Sequence, residues 1–483
     1  MKKKITVFLI REDHNYGNTL ADELSKNENV EKVININGVD KKTKHDNIRS
    51  KYLFDSYTIK HITQKTKTDY ALIQIKNSRI IPGQFFIERF LIVAQKTSAG
   101  IVFSDFYESE NGKLTSHSLI EYQAGSLRDD FDFGYFMLIE KKALLKVTEK
   151  IKNDLRFSGL YHLRLAISRK HEIFRIPEFL YTVEHDFEPE SAGKLYEYVD
   201  SKNREVQIEY EKVVTEHLKK IKAFLKPVSK KVEINRMKFE FEASVIIPVK
   251  NREKTIADAV NSALKQKTKF NFNIMVIDNY STDRTTDILK EFSAKDNRIV
   301  HLIPERKDLE IGGCWNEAIF HEKCGKFAIQ LDSDDLYMDN NTLQKIVDKF
   351  YSDKCAMVIG AYRLTDFHLN EIRPGIVDHK EWTDKNGSNN VLRVNGLGAP
   401  RAYYTPVIRG IKFPDVSYGE DYSVGLSISG KYKIGRIYEP IYICKRWEGN
   451  TDSSLTIEQE KRNNFYKDKI RTIEILARQK FNR

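Results

Sequence analysis

The sequence predicts two tandem α/β domains joined by a charged helical linker. Short apolar, β-like runs alternate with helical stretches from residue 4 to about 187, and the alternation restarts near residue 239. Such alternation builds a largely parallel sheet with helices packed on its faces. The second stretch reads as a copy of the first. At 483 residues the chain has room for two to four domains of about 100–200 residues each.

Each part follows in order. The first domain, residues 1–187, takes its strands from 5–10, 30–36, 70–75 and 100–103. Residues 188–238 form the linker: Leu195, Val199, Val206, Ile208, Val213, Leu218, Ile221 and Leu225 fall roughly on one helical stripe, which Pro227 ends. The second domain covers 239–454, and a helical tail covers 455–483. The repeat is visible directly. Residues 166–176 align without gaps on 427–437, the match continues through Glu178/Glu439 and Tyr181/Tyr442, and 72–75 match 328–331 in the same order.

Composition narrows the class. The chain is 40% hydrophobic and 31% charged, which is globular, and no run approaches the ~18 apolar residues of a membrane span. The basic, then apolar N-terminus stops at Arg11-Glu12-Asp13, too short for a signal-peptide core and without a small-residue cleavage site. It reads as the first strand of a cytoplasmic protein. Lys and Arg number 80 against 69 Asp and Glu, a net charge of +11, which favours anionic partners such as nucleotides or acidic lipid surfaces. No finger spacing of Cys and His and no RNP-type aromatic motif is present, so nucleic acid is not an expected partner. Cys314, Cys324, Cys355 and Cys444 form no CxxC pair and read as free thiols in a reducing compartment.

Chemistry concentrates in the second domain. Residues 327–331 are an apolar strand that ends in Asp332-Ser333-Asp334-Asp335. Three carboxylates within four residues repel one another unless a cation or hydrogen-bond donors neutralise them. Mg²⁺ and Mn²⁺ take oxygen ligands and commonly bridge to substrate phosphates. The other reading is a solvated acidic turn or a helix cap. Upstream, 244–249 and 274–278 are strands that end in polar turns, the second at Asp278, which suits a base or ribose contact or the capping of the next helix. Ligands in open α/β sheets bind at such carboxyl ends. Gly312-Gly313 allows close backbone approach or merely a helix entry.

Together, residues 244–255, 276–283, 312–316, 325–335 and Tyr418-Gly419-Glu420-Asp421 resemble the family 2 glycosyltransferases. The likeness runs from about residue 239 to 454. It implies a GT-A fold (nucleotide-diphospho-sugar transferase), a sugar-nucleotide donor, most often a UDP-sugar, a divalent cation (Mg²⁺ or Mn²⁺) and inversion by a single displacement. It places Pro248, Val249 and Glu253 around base and ribose, Asp278 on the uracil edge, and Asp332 at the ribose or diphosphate. It makes Asp334 the metal ligand and Asp421, preceded by Glu420, the catalytic base. The acceptor implied is a glycan or a lipid-linked glycan, and the charge permits peripheral contact with the inner face of the membrane without requiring it. Homo-oligomers are left open.

One departure stands out. Many relatives carry a metal-completing histidine after the base, and 445–451 contain none. Arg446 is a candidate diphosphate clamp and Trp447 a candidate sugar platform, while 395–401 lie where acceptor sites are often shaped. In the first domain the alignment sets Lys76 opposite Asp332, Ser78 opposite Asp334, Gly159 opposite Glu420 and Leu160 opposite Asp421. A GT-A-like copy stripped of its chemistry is therefore expected there. The competing readings are a nucleotidyltransferase and a non-catalytic glycan- or sugar-nucleotide-binding protein.

Overall fold

The computed structural model describes residues 4–11, 16–37, 46–151, 154–184, 203–226, 230–382, 386–450 and 455–482. The chain divides into two compact units. The first takes in the N-terminal region with Glu205–Phe224, and the second is mainly Leu225–Phe481.

The first unit holds β1 (Ile5–Arg11), β2 (Val30–Asn37), β3 (Asp46–Arg49), β4 (Tyr70–Gln74) and β5 (Arg79–Pro82). It continues with β6 (Ile101–Glu110), β7 (Lys113–His117), β8 (Phe136–Glu140) and β9 (Ile173–Glu184). They order as β3-β2-β1-β4-β8-β6-β9-β5, with β7 on β6. The second unit holds β10 (Ala243–Val249), β11 (Phe272–Asp278), β12 (Ile299–Leu302), β13 (Phe327–Gln330) and β14 (Leu336–Tyr337). Next come β15 (Met357–Asp366), β16 (Glu371–Val377), β17 (Arg401–Tyr404) and β18 (Ile434–Arg446). Their order is β12-β11-β10-β13-β17-β15-β18-β14, with β16 on β15. Strand for strand, the second topology is the first. The two tandem α/β domains expected from the sequence are present.

The central strands are apolar on both faces because helices cover both sides of the parallel part of each sheet. In β11 all seven residues are buried, and in β10 only Pro248 is half-buried. β8 and β17 enter antiparallel beside the fourth parallel strand of each sheet.

Two helices fall within the stretches read as linker and tail, and each packs on one unit. The helix Arg204–Lys220 lies within 188–238, yet its Val213, Val214 and Leu218 are buried. Glu209 accepts from the backbone nitrogens of Arg156, Phe157 and Ser158 at 2.8–3.1 Å, at the start of the helix Gly159–Ser168. Periodicity revealed an apolar stripe but not the surface that receives it. Leu195, Val199 and Pro227 lie outside the described residues. The final helix, Ile457–Phe481, buries Lys467, Asp468 and Arg471 in the second unit.

Candidate active site

β10 runs parallel to both β11 and β13, so the three carboxyl ends share one edge of the sheet. β17 is antiparallel to β13, and its first residue, Arg401, therefore arrives at the end of β13. The Arg401 backbone N donates to Gln330 Oε1 (3.0 Å), and Gln330 Nε2 donates to both oxygens of Asp332 (2.8 Å each). The Arg401 guanidinium donates from Nη1 to Gly398 O (2.7 Å), and the same nitrogen forms an ion pair with Asp421 Oδ2 (2.9 Å). Two hydrogen-bonded links and one ion pair thus join Asp332, Gln330, Arg401 and Asp421 into one chain.

The acidic turn is pinned from β18. Asp332 N donates to the Tyr442 hydroxyl (2.9 Å), and Lys445 N donates to Asp335 Oδ1 (2.8 Å). Asp334 Oδ2 accepts from Trp447 Nε1 (3.2 Å) and Asn450 Nδ2 (3.1 Å), with Arg252 Nε at 3.9 Å. Trp447 therefore meets the site through its indole N–H, and Asn450 stands in the stretch where the sequence showed no histidine. Burial pushes the Asp332 carboxyl up, opposed by Arg401; burial and then the Asp334 and Asp332 charges push Asp335 well up.

No set of three or more His, Cys, Asp or Glu side chains among the described residues makes a complete metal shell. A cation that keeps waters and substrate phosphates as ligands needs only one or two carboxylates. Asp334 fits that requirement: its other oxygen accepts no hydrogen bond among the described residues, and two crowded carboxyls flank it.

Glu420 and Asp421 occupy the first turn of the helix Glu420–Ser429, after Gly419 at φ 83°. A helix N-terminus carries positive partial charge and favours carboxylates. Burial and then the Asp421 charge raise the Glu420 carboxyl to about 8, with Arg401 opposing. The approach to this turn is fixed from the helix Ile311–Phe320. Asn316 exchanges two hydrogen bonds with the Phe413 backbone (2.9 and 3.0 Å), and Asp415 Oδ1 accepts from Gly313 N (2.9 Å). A Cβ on Gly312 would fall 1.8 Å from Pro414 O, so close approach is what that glycine permits. From the other side, Arg471 Nε donates to the Tyr422 hydroxyl (2.8 Å), and Lys467 Nζ donates to Asn395 O (2.6 Å).

The nucleotide-side residues divide. Pro248 and Val249 end β10, and Val249 O accepts from Asn279 N (2.8 Å). Glu253 is exposed; its Oε2 accepts from Arg284 N (3.1 Å), and its own N donates to Asp283 Oδ2 (3.1 Å), tying the turns after β10 and β11 into one rim. Asp278, expected at the uracil edge, is fully buried and accepts from Ser281 N (3.0 Å), Thr286 Oγ1 (2.5 Å) and His301 Nε2 (3.4 Å). Burial works against its charge, but these bonds outweigh it and hold the carboxyl below the usual range. Of the two roles open to Asp278 in the sequence, these contacts are those of the turn and the helix that follows it. In the sequence Arg401 stands out only as the end of 395–401 and Gln330 only as a polar residue near the end of an apolar strand; neither signals the link between them.

The first unit carries different residues at these positions. Gln74 pairs with Phe136 as Gln330 does with Arg401, and the ten-residue helix beginning at Gly159 matches the one beginning at Glu420. Phe136 then stands for Arg401 and Leu160 for Asp421, while Lys76 pairs with Asp132 (2.7 Å).

Residues 244–414 match the profile of "Glycosyl transferase family 2". A UDP-Glc:alpha-D-GlcNAc-diphosphoundecaprenol beta-1,3-glucosyltransferase of Escherichia coli is 29% identical over 209 residues, 43% of this chain and 77% of that protein. The poly(ribitol-phosphate) beta-N-acetylglucosaminyltransferase TarS of Staphylococcus aureus is 36% identical over 114 residues, 23% of this chain and only 19% of TarS. A solved TarS 1–349 structure with UDP-GlcNAc aligns with a TM-score of 0.39 at 21% identity, covering 50% of this chain and 67% of that one. The sequence match takes in β10, β11 and β13, with the acids that end β11 and follow β13, and stops at 414, before Glu420 and Asp421. Glycosyl transfer is what the sequence matches carry: the protein is a glycosyltransferase, and residues 244–414 of its second unit are the part that matches the family 2 profile.

Proposed function

We propose that the C-terminal unit moves a sugar, with inversion, from a UDP-sugar to a hydroxyl of a glycan or lipid-linked acceptor in polysaccharide synthesis. The observation that carries this reading is the chain from Asp332 through Gln330 and Arg401 to Asp421, which sets donor-side acids and a fixed carboxylate at one sheet edge. The Escherichia coli relative's name, which pairs a UDP-sugar with a diphosphoundecaprenol-linked acceptor, supports both substrates.

Asp421 accepts the proton of the acceptor hydroxyl as its oxygen attacks the anomeric carbon. The bond from that carbon to the diphosphate breaks on the opposite face, and the diphosphate leaves with the electron pair. A sugar hydroxyl is a poor nucleophile, and a positioned base contributes roughly 10²–10⁴-fold. Arg401 orients the Asp421 carboxylate, and Arg252 faces Asp334 from the turn after β10. Asp334 would hold Mg²⁺ or Mn²⁺, which when bound would offset charge on the leaving diphosphate. Pro248, Val249 and Glu253 line the base and ribose, Asp278 takes the uracil edge, and Asp332 faces the ribose or diphosphate.

The first unit is, on this reading, a copy without transfer chemistry, because Lys76, Phe136 and Leu160 replace Asp332, Arg401 and Asp421. We keep 1–187, 188–238, 239–454 and 455–483 as the domain limits, with the helix Arg204–Lys220 serving the first unit and Ile457–Phe481 the second. Buried free cysteines at 314, 324 and 355 agree with a cytoplasmic address. The test is UDP, GDP and dTDP release from a panel of sugar nucleotides with Mn²⁺ and a glycan acceptor. Acceptor-dependent UDP release supports the reading, and no release from any donor refutes it.

A further inference from the structure

The helix Ile457–Phe481 has two contrasting faces. The inner face is buried: Lys467 donates to the Tyr418 hydroxyl (3.2 Å) and Arg471 to the Tyr422 hydroxyl (2.8 Å), the two tyrosines that flank Glu420 and Asp421 in the chain. The outer face is apolar and basic. Ile473 and Leu476 are each 57% exposed and Phe481 is 83% exposed, beside exposed Arg462, Lys469 and Lys480. At 3.6 residues per turn, Arg462, Lys469, Ile473, Leu476 and Lys480 fall within about 60° of one another. One exposed carboxylate, Glu458, shares the arc and pairs with Lys461 (3.1 Å), while Asp468 is buried against Arg471 and Glu474 is bound to Arg478 (2.7 Å), so the face keeps a net positive charge.

We propose that this outer face docks on a bilayer surface containing anionic lipid. Exposed apolar side chains between cations suit the boundary where acyl chains meet charged headgroups. A second copy of this chain fits less well, because a two-fold contact would set Lys469 and Lys480 against the same cations. No described helix is long and apolar enough to cross a membrane, so the contact is lateral. The same helix braces the base-bearing segment from within. Docking therefore brings the acceptor side of the site to within about one helix diameter, 10–12 Å, of the lipid. This deepens the proposed function by placing its acceptor in the membrane, and rests on that reading only for the acceptor; vesicle binding is read without turnover, so the two can fail separately.

The full chain is sedimented with vesicles of phosphatidylcholine alone and with phosphatidylglycerol added. Wild type should pellet only with the anionic vesicles. Ile473→Glu/Leu476→Glu and Lys469→Glu/Lys480→Glu should each lose about tenfold or more of the bound fraction, with UDP release to a soluble acceptor unchanged. No binding by wild type, or equal binding by the variants, overturns the proposal. So does light scattering in which Ile473→Glu/Leu476→Glu splits an oligomer, because a second copy would then cover the face.

Discussion

Arg401 Nη1 lies 2.9 Å from Asp421 Oδ2, although 20 residues separate the two in the chain. The guanidinium also feels Asp332 and Glu420, and the Asp421 charge foremost among these holds it protonated despite burial. Truncation would free the carboxylate proposed as the base and leave three acids without their shared cation. Arg401→Ala should lower kcat by about 10²-fold, the scale on which small misplacements of reacting groups act. Arg401→Lys should recover part of it, as measured by steady-state UDP release.

Asp334 should be needed for transfer and not for folding. It is 9% exposed, at the end of a strand whose core contacts do not involve it. Asp334→Ala should remove most activity while the thermal unfolding profile stays near that of wild type. EDTA should stop the wild-type enzyme, and Mn²⁺ or Mg²⁺ should restore it. Full transfer in EDTA would show that the site works without a cation.

Glu420 should make stability fall with rising pH. Its folded-state value of about 8 lies above the ordinary 4.5 because burial and the Asp421 charge disfavour its ionised form. Between those values the folded protein holds a proton that the unfolded chain has released, so stability is lost as pH rises and levels off above about 8. Glu420→Gln should flatten that slope. Parallel melting curves from pH 5 to pH 9 for the two proteins would show it.

The first unit should stay inert even when its acids are restored. Lys76→Asp with Ser78→Asp supplies carboxylates, but Leu160 and Phe136 still stand where the second unit has Asp421, the proposed base, and Arg401. The doubly substituted full chain, made on an Asp421→Asn background, should release no UDP above that background.

The sequence made the duplication and the strand-end acids legible because both are local. An apolar run ending in Asp332-Ser333-Asp334-Asp335 announces a strand and a costly charge cluster in one stretch. What escaped it depends on sheet order. Arg401 reaches Asp421 only because β17 pairs antiparallel with β13, and Asn450 reaches Asp334 across 116 residues. Asp278 shows the converse: a strand-end acid in the expected place, whose contacts run to its own turn, to Thr286 and to His301. The helix Arg204–Lys220 has a legible stripe, but only packing shows where it docks.

The most direct measurement compares kcat and donor affinity for wild type and Asp421→Asn with a UDP-sugar, Mn²⁺ and a glycan acceptor. The substitution keeps shape and removes the proton-accepting charge. If Asp421 is the base, kcat falls by about 10²-fold or more while UDP-sugar binding by calorimetry stays within a fewfold of wild type. A variant that keeps its kcat but binds the donor poorly would contradict this, and would move Asp421 from the acceptor's proton to the nucleotide.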